Sequence, residues 1–394
     1  MPFDRVGVGM SVAAEGVVRR AVMFARSHPE LLAAILVSLI VVVGGGYVLH
    51  RFTRPTGVRF ASMIAEHDRI TVLTHPNPDP DAMAAAMGVA SLAKQVETEA
   101  TIQFPGKIRH QENRAFRNVL EVDLDCIERA DDLASESVIL VDHNEPRGFS
   151  DSERVHPVAV VDHHPGEGRG EAFTDVRTEY GACSSVIAEY FEDLDATPVP
   201  PATHESEVEA TYVVPSRVAT GLFFGILTDT NRLTSGIDSA DFAASGYLST
   251  GFDESALDRI ANPQVSAETL EIKATAIRER QVEGAFAISD VGNVSNVDAI
   301  PQASDELILL EGVTAAVVYG TRNGVLYLSG RSRDDRVHMG RALEAALADI
   351  PGGDGGGHAR MGGGQITIDE GEFVWPARRN TLTDRLWRAL EGDL

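Results

Sequence analysis

Lysine is nearly absent from this chain, and acidic residues far outnumber basic ones. Lysine occurs only at Lys94, Lys107 and Lys273, and the formal net charge is −25. Strong acidity with arginine in place of lysine predicts adaptation to high salt, where a dense acidic surface stays hydrated. The alternative is an acidic protein that simply avoids nucleic acid. Duplex nucleic acid is not an expected partner.

Cysteine is also scarce, with only Cys126 and Cys183 in 394 residues. Two cysteines do not form the disulfide framework of a small secreted protein, so a reducing environment inside the cell is the simpler expectation. Disorder is not expected, because 43% of the residues are hydrophobic. The length exceeds what one ordinary hydrophobic core accommodates, which predicts two globular domains.

One long stretch lacks charge entirely: residues 31–49, LLAAILVSLIVVVGGGYVL. A helix needs about 20 mostly apolar residues to cross the hydrocarbon core of a bilayer. We therefore predict one transmembrane helix at about 31–49, within an N-terminal membrane anchor over residues 1–57. A buried core helix and a signal peptide are the alternatives, and Gly44–Gly46 would weaken any helix near its end. Arginines flank the run on both sides, so charge does not set its orientation.

Three apolar runs farther along the chain end in His or Asp. ITVLTH ends at His75, SVILVD at Asp142 and PVAVVD at Asp162. The runs are short, rich in branched residues and lack polar alternation, which is typical of strands buried on both faces of a parallel sheet. Helical patterns lie between and after them. We therefore predict an α/β domain with a doubly wound, mainly parallel sheet over residues 58–245.

The remaining sequence predicts a smaller α+β domain. Residues 246–285 have the pattern of a helical connector, and residues 286–394 follow as the second domain. Asn323-Gly324 between two apolar runs is a strong hairpin signal. A helical pattern comes next, and residues 351–366 are expected to form a glycine-rich loop before a last strand. The predicted fold is thus a transmembrane helix, an α/β domain and a C-terminal α+β domain.

Polar residues after the three runs should converge, because ligands bind beyond the carboxyl ends of the strands in such a sheet. A fourth acid, Asp229, closes the apolar run that begins at Leu222. The residues expected to come together as metal ligands are His75, Asp79, Asp81, Asp142, His163 and Asp229, with Asp162 and His164 close by.

The chemistry of this set indicates divalent metal. Carboxylates packed together repel one another, and their pKa values rise unless cations lie between them. Carboxylate and imidazole ligands without thiolate suit Mn²⁺ or Mg²⁺, and imidazole favours Mn²⁺. Six ligands with one shared carboxylate fit two ions better than one, and a two-metal site suits hydrolysis of a phosphoester or phosphoanhydride. A single Asp after a strand is more often a turn or helix cap, but two Asp-His pairs at adjacent strand ends are hard to explain in that way.

Four segments resemble the motifs of the DHH phosphoesterases, in the same order: HPNPDPD, VDHN, VDHHP and GILTDT. GGGH near the C-terminus resembles the DHH-associated C-terminal domain of that family. The resemblance covers about residues 60–370. The chain departs from the family pattern at Pro80, where glycine is common, and after His358, where Met361 and Gly362 replace two alanines.

The resemblance implies two metal sites that share Asp142. It assigns one site to His75, Asp79 and Asp142, and the other to Asp81, Asp142, His163 and Asp229. It also implies that His164 faces the scissile phosphate or the leaving group, and we expect Asp162 to orient a ligand histidine from outside the coordination shell. The predicted catalytic residues are therefore His164, Asp162 and Asp142. The expected cofactor is two Mn²⁺ ions, with Mg²⁺ as the alternative.

The second domain is expected to hold the substrate. Glycines let backbone amides approach a phosphate or nucleotide closely, and arginine can bind phosphate through two hydrogen bonds. A flexible surface loop is the alternative for the glycine-rich segment. The predicted substrate-binding residues are Arg331, Arg333, Gly355, Gly356, Gly357 and His358, with Asn113 and Arg114 from an earlier loop.

These features predict a membrane-anchored, Mn²⁺-dependent phosphodiesterase that hydrolyses a small nucleotide. Cyclic di-AMP, pApA and short oligoribonucleotides are the substrate classes that the resemblance implies. The alternatives are a manganese-dependent inorganic pyrophosphatase, a processive single-strand exonuclease and a non-catalytic membrane sensor that binds a nucleotide. A cytosolic substrate would require the catalytic domains of a single-pass protein of the cell membrane to face the cytoplasm. The sequence does not set the oligomeric state, and a homodimer is one candidate.

Overall fold

The computed structural model of the chain describes residues 54–108, 110–333, 336–368 and 375–393. They form two units. The first consists of the described residues up to Gly106 together with Asp123–Asp253, and the second of Lys107–Val122 together with the residues from Glu254 onward. Lys107–Val122 therefore belongs to the second unit although its neighbours in sequence lie in the first. The domain boundaries expected from the sequence stay a prediction.

The first unit is built on a six-stranded sheet in which neighbouring strands are parallel. The strands are β1 Arg69–Leu73, β2 Glu99–Pro105, β3 Asp125–Ile127, β4 Val138–Val141, β5 Ala159–Asp162 and β6 Phe173–Val176; a separate parallel pair is β7 Thr197–Pro198 and β8 Val213–Val214. Across the sheet the order is β3-β2-β1-β4-β5-β6. The order reverses between β1 and β4, and such a switch point is where parallel sheets bind ligands. The predicted parallel α/β architecture is confirmed.

The composition of β4 explains its central position in the sheet. Each residue of Val138–Val141 is at most 1% exposed, and a fully buried aliphatic side chain contributes about 1.5–3 kcal/mol. On one face, Leu140 packs with Leu133 and Phe149 from the connecting segments. The polar residue that follows, Asp142, marks the point where the apolar strand ends.

Helices flank the sheet, and some of them start close to its carboxyl edge. Asp79 caps one of them: its Oδ1 accepts a hydrogen bond from the amide of Ala82 at 3.0 Å, and Pro80 occupies the first turn, where an amide has no helical partner. The helices in chain order are α1 Thr56–Ile64, α2 Pro80–Gln95, α3 Gln111–Val119 (in the second unit), α4 Cys183–Asp193, α5 Ser216–Asp229 and α6 Ser239–Leu248.

The second unit contains a mixed six-stranded sheet. Its strands are β9 Gln281–Glu283, β10 Phe286–Asn293, β11 Ala315–Arg322, β12 Val325–Ser332, β13 Gly353–Gly357 and β14 Met361–Thr367. They lie in the order β13-β14-β12-β11-β10-β9, and β10 and β11 are parallel while the other neighbours are antiparallel. Asn323 and Gly324 join β11 to β12 with φ values of 51° and 75°, as in a two-residue hairpin turn. The predicted hairpin is confirmed.

Helices cover both faces of this second sheet. The helices of this unit that follow α6 in the chain are α7 Glu254–Ala261, α8 Ala267–Arg278, α9 Ala299–Leu307, α10 Met339–Leu347 and α11 Trp375–Glu391. The last four pack on the sheet. Alternate residues of β11 point to opposite clusters: Val317 packs with side chains of α10 and α11, and Val318 with side chains of α8 and α9. This alternation gives the unit two apolar layers and confirms the α+β class.

Two segments predicted as loops are partly regular structure. The prediction of a glycine-rich loop over residues 351–366 is wrong, because most of this segment forms β13 and β14. A Cβ on Gly364 would lie 2.6 Å from the Leu347 side chain of α10, and one on Gly355 would lie 2.9 Å from it. Glycine therefore lets α10 lie directly on these strands. The segment before Ala115 is likewise not all loop, since α3 begins at Gln111.

The predicted transmembrane helix at residues 31–49 lies outside the described residues. Within the part of the chain that the structure describes, no helix is long and apolar enough to cross a membrane. This finding corrects two predictions: a fold that begins with a membrane-spanning helix, and a single-pass membrane localisation. The fold class is a parallel α/β unit followed by an α+β unit.

Candidate metal centre

Three of the predicted ligands follow strands at the carboxyl edge of the parallel sheet. His75 comes two residues after β1, Asp142 directly follows β4, and His163 directly follows β5. Asp142 has a φ of 60°, a left-handed conformation that costs energy in a residue with a side chain. Its amide donates to the carbonyl of Val161 at 3.0 Å. The backbone is therefore held in an unusual conformation at the switch point itself.

The other three carboxylates come from helix ends. Asp79 caps α2, Asp81 is in its first turn, and Asp229 is the last residue of α5. The apolar run that Asp229 closes is thus helical. Because α2 packs against α5, the beginning of one helix and the end of the other lie beside each other. The fold in this way adds helix-borne acids to the strand-borne ligands.

His75 marks the first cluster of candidate ligands. Its Nε2 lies 3.6 Å from Oδ2 of Asp79 and 3.4 Å from Oδ2 of Asp142. The His75 side chain is 16% exposed and that of Asp142 is 1% exposed. One imidazole nitrogen and two carboxylate oxygens therefore face a common point at the edge of the sheet.

His163 marks the second cluster. Its Nε2 lies 3.8 Å from Oδ2 of Asp81, 3.3 Å from Oδ1 of Asp142 and 3.5 Å from Oδ2 of Asp229. Asp142 thus directs one oxygen to each histidine. The structure brings together all six residues that the sequence pattern singled out, with Asp142 between the two clusters.

The distances and burial in these clusters fit divalent cations. Both carboxylate oxygens of Asp142 and Nε2 of His163 are buried and have no hydrogen-bond partner among the described residues. Their separations from neighbouring ligand atoms, 3.3–3.8 Å, exceed the usual hydrogen-bond range of about 2.7–3.2 Å. Two atoms that each bind one ion at about 2.1 Å lie about 3–3.5 Å apart. Such buried polar atoms are costly unless something satisfies them, and a shared cation would do so.

Carboxylates and imidazoles in the centre perturb one another's pKa values. Burial opposes the charging of His163, but contacts with Asp142 and Asp229 outweigh it and raise the pKa to about 12. Burial likewise opposes the charging of His75, while Asp142 and Asp79 raise its pKa to about 11. Burial raises the pKa of Asp229 to about 6. The centre therefore stabilises positive charge, and protons compete with metal ions for it.

Hydrogen bonds orient both ligand histidines. Nδ1 of His75 donates to the carbonyl of Pro76 at 3.0 Å, and Nδ1 of His163 donates to the carbonyl of Tyr180 at 3.1 Å. A carbonyl oxygen only accepts, so Nδ1 carries the hydrogen in both rings and Nε2 faces the carboxylates. Histidines that bind metals are typically held in this manner.

Asp162 organises the turn that carries His163 and His164. Its Oδ1 accepts from the two backbone amides at 2.8 and 3.1 Å and from Nδ1 of His164 at 2.9 Å. Its Oδ2 accepts from Nδ2 of Asn144 at 2.7 Å. Asp162 is fully buried, so these bonds compensate its desolvation. The side chain orients the turn and leaves Nε2 of the half-exposed His164 available.

Asp81 is held by the amino terminus of α4. Its Oδ2 accepts from the amide of Cys183 at 2.7 Å, and its Oδ1 accepts from the amide of Ser184 at 2.8 Å. A helix amino terminus stabilises negative charge, although burial raises the pKa of Asp81 well above its ordinary value. A Cβ on Gly225 of α5 would lie 2.9 Å from Oδ1 of Asp81. Glycine in GILTDT therefore lets α5 approach the ligand.

Family models match both units of the chain. Residues 69–226 match the DHH family, N-terminal domain, and residues 283–386 match the DHHA1 domain. The chain belongs to the DHH phosphoesterase family. The family resemblance expected from the motifs is confirmed. The predicted class of hydrolase, a phosphoesterase, is confirmed at the level of the family.

Relatives of this DHH protein include MJ1633, an uncharacterised protein of Methanocaldococcus jannaschii, which is 33% identical over 301 residues. The cyclic-di-AMP phosphodiesterase GdpP of Geobacillus thermodenitrificans is 28% identical over 335 residues. These matches cover 76% and 79% of this chain but only 58% and 47% of the relatives. The chain therefore spans about half the length of the curated relatives it matches.

A solved structure shares the fold. It is an exopolyphosphatase-related protein from Bacteroides fragilis, with a TM-score of 0.58 and 15% sequence identity. The match covers 86% of this chain and 96% of that protein. At this identity the likeness concerns the fold alone.

Two of the predicted arginine contacts, both in the second unit, have acidic neighbours. Nε of Arg331 donates to Oδ1 of Asp305 at 2.5 Å, and Nη1 of Arg114 lies 3.4 Å from Oδ2 of Asp298. Asn113 is only 4% exposed, which leaves little of its side chain for a ligand. Arg333 and His358 are exposed. Their roles as substrate contacts, like those of the metal ligands, stay predictions.

The three predicted substrate-binding glycines differ in their surroundings. Gly355 faces α10, and Gly357 has a φ of 140° with the carbonyl of Met361 2.5 Å from where a Cβ would lie. Gly356 has nothing within 4 Å of such a Cβ, and its cross-strand partner Gly363 has only a carbonyl at 3.6 Å. Packing therefore explains glycine at the first two positions but not at Gly356 and Gly363.

Residues that hold the ligands in place were missed from the sequence. Asn144 lies within the quoted VDHN motif, and its place in a motif beside Asp142 was a usable signal. The carbonyl of Tyr180 and the amides of Cys183 and Ser184 carried no such signal, because every residue has these backbone groups. Only the fold shows which backbone groups meet the ligands.

Proposed function

We propose that this chain is a phosphodiesterase that hydrolyses a small nucleotide, with cyclic di-AMP as the first candidate substrate and pApA and short oligoribonucleotides as the next. The observation that carries the proposal is the position of Asp142, whose two buried oxygens face different histidines. This arrangement suits a two-ion site, which is suited to phosphoryl chemistry. A relative named as a cyclic-di-AMP phosphodiesterase, alignable over 79% of this chain, supports the choice of substrate.

Two Mn²⁺ ions are the proposed cofactor. Carboxylate oxygens suit both Mn²⁺ and Mg²⁺, and the two imidazoles favour Mn²⁺. When bound, such ions supply Lewis-acid stabilisation of the phosphoryl group and a nucleophilic water. One ion would be held by His75, Asp79 and Asp142, and the other by Asp81, Asp142, His163 and Asp229.

His164 is the proposed proton donor to the leaving oxygen. Its Nδ1 is bound by Asp162 at 2.9 Å, and its side chain is 52% exposed, so Nε2 is accessible to a substrate. Asn144 fixes Asp162 from the other side. The ring is thereby held in one orientation before the substrate arrives, which reduces the reorganisation that the reaction requires.

The second unit supplies the proposed substrate contacts. Gly356 and Gly363 are directly paired, and neither needs to be glycine for packing. Together they form a bare peptide surface on which a planar base can lie within van der Waals distance. Met361 and Arg331 are paired beside them on the same face of the sheet and can contact the base and its phosphate.

A substrate panel tests the proposed function. The full chain is loaded with Mn²⁺ and incubated separately with cyclic di-AMP, pApA, a short oligoribonucleotide and pyrophosphate, and the products are separated by chromatography. Linear products from cyclic di-AMP, lost in Asp142→Asn, are the expected result. No turnover of any nucleotide by chain that has demonstrably bound metal would refute the proposal. Phosphate release from pyrophosphate alone would support the pyrophosphatase alternative instead.

A further inference from the structure

The carbonyl that orients His163 belongs to a residue with its own tightly bonded side chain. Tyr180 accepts the Nδ1 hydrogen of His163 through its backbone, at 3.1 Å. We propose that the side chains of Arg177, Tyr180 and Glu189 form a positioning network that sets the orientation of His163 and hence the affinity of the centre for metal. The inference rests on the metal-dependent function proposed above.

Three polar groups contact one another within the network. The hydroxyl of Tyr180 donates to Oε2 of Glu189 at 2.6 Å and accepts from Nη1 of Arg177 at 2.8 Å. Nη1 of Arg177 also donates to Oε2 of Glu189 at 2.8 Å. The guanidinium carbon lies 4.9 Å from the centre of the Tyr180 ring, within cation–π distance. Moving any one member would break contacts with both others.

The buried core anchors the network. Asp175, near the end of β6, accepts from Nε and Nη2 of Arg177 at 2.9–3.1 Å. It also accepts from the hydroxyl of Tyr190 at 2.6 Å. Tyr190 is fully buried, and its ring centre lies 4.9 Å from that of Phe60. A continuous series of contacts therefore runs from the apolar core to the ligand histidine.

The backbone on the other side of Tyr180 is also held. The amide of Gly181 donates to Oδ2 of Asp241 at 3.0 Å, and Asp241 is fully buried. The amide of Gly181 and the side chain of Tyr180 are both hydrogen-bonded. The peptide group that carries the Tyr180 carbonyl therefore has little freedom to move. The Nδ1 to carbonyl distance of 3.1 Å is near the long end of the hydrogen-bond range, about 3.2 Å. A small displacement of this peptide would release His163.

Tyr180→Phe is the test variant, because it removes the hydroxyl and keeps the ring over Arg177. Loss of a hydrogen-bonded group behind a metal ligand typically lowers metal affinity about 10–100-fold. We therefore expect Mn²⁺ to bind Tyr180→Phe about tenfold more weakly in titration calorimetry. Arg177→Gln should act in the same direction. In nitrogen-15 NMR of the metal-free chain, the Nδ1 signal of His163 should shift, because its hydrogen bond to the Tyr180 carbonyl is weakened.

Tyr247→Phe is the matched control. The hydroxyl of Tyr247 donates to the carbonyl of Ala196 at 2.5 Å, and no member of the network contacts it in the described residues. The same atom is thus removed from a hydrogen bond of similar length, and Mn²⁺ affinity should be unchanged. Thermal unfolding of the metal-free variants reports any general loss of stability.

Two outcomes separate this inference from the proposed function. If the wild-type chain binds no metal, the proposed function fails and this inference fails with it. If the wild-type chain binds Mn²⁺ and Tyr180→Phe binds it equally well, only the positioning network is refuted. Equal destabilisation of Tyr180→Phe and Tyr247→Phe with unchanged metal affinity would also refute it, because the hydroxyl would then have a purely structural role.

Discussion

The carboxyl edge of the first sheet and the glycine strands of the second unit present opposite kinds of surface to a ligand. At the edge of the first sheet, side chains converge from β1, β4, β5, α2 and α5, and hydrogen bonds fix each histidine. On β13 and β14, the paired Gly356 and Gly363 carry no side chain and leave the backbone bare. The first region presents side-chain nitrogen and oxygen atoms, and the second presents bare backbone.

The difference predicts how each region responds to substitution. Asp142 is buried, and its charge is balanced only by neighbours a few ångströms away. Loss of the Asp142 carboxylate should abolish metal binding, since a buried charge is strongly coupled to its partners. At Gly356 nothing lies within 4 Å of an added Cβ. A variant with a side chain at this position should fold normally, and the added side chain should interfere only with a ligand.

Asp142→Asn should have the largest effect, because it neutralises the carboxylate shared by both clusters at almost constant size. We expect turnover of cyclic di-AMP to fall about 1,000-fold, a loss of about 4 kcal/mol, together with loss of Mn²⁺ binding in calorimetry. The exposed Asp258→Asn is the control and should retain both. Retention of Mn²⁺ binding by Asp142→Asn would remove the reason for regarding the edge as a metal centre.

Metal binding should strengthen as the pH rises. The pKa values of about 11 for His75 and about 12 for His163 mean that both rings are protonated near neutral pH, and a protonated imidazole cannot bind an ion. Each proton released on loading makes the affinity rise about tenfold per pH unit below those pKa values. Calorimetry in buffers of different ionisation enthalpy counts the protons. A constant affinity between pH 6.5 and 7.5 would contradict this electrostatic account.

Valine at the bare glycines separates the two regions most clearly. Gly356→Val and Gly363→Val should raise the KM for a nucleotide about tenfold, because a branched side chain fills the surface on which the base lies. Mn²⁺ affinity and unfolding temperature should not change. Thr367→Val, an exposed position on β14, is the control. An unchanged KM would show that glycine at these positions has no role in substrate binding.

Asn144→Ala should have the smallest effect on catalysis and a measurable effect on stability. It leaves Oδ2 of the buried Asp162 without the hydrogen bond from Asn144, which costs about 1–3 kcal/mol. Denaturant unfolding of the metal-free chain measures this loss. Asn262→Ala removes a similar amide–carboxylate bond, to Asp258 at an exposed site, and should cost less than about 0.5 kcal/mol. Equal losses in the two variants would show that Asp162 does not depend on Asn144.

The ligand set could be predicted from the sequence because its signal is local. His75, Asp142 and His163 each follow a short, branched apolar run that is typical of a buried strand, and parallel strands end at the same edge. Residue type and position along the chain were therefore sufficient. The helix-borne Asp229 was found by the same apolar run, although that run is helical. Asp229 could therefore be predicted as a metal ligand without knowing whether it follows a strand or ends a helix.

The features that were missed depend on contacts between distant parts of the chain. Glycine has a low intrinsic preference for strands, so residues 351–366 were interpreted as a loop. The structure shows that close packing of α10 outweighs that preference. The carbonyl of Tyr180 and the amides at the start of α4 have no signature in sequence. Adaptation to high salt and the homodimer stay predictions, because neither is a property of these contacts.

Anomalous scattering from crystals of the chain grown with Mn²⁺ would show whether Asp142 lies between two ions. Two manganese peaks about 3.5–4 Å apart are expected, one between His75 and Asp142 and the other between His163 and Asp142. The second peak should also lie within coordination distance of Asp229. A single peak, or peaks that do not touch Asp142, would contradict the account.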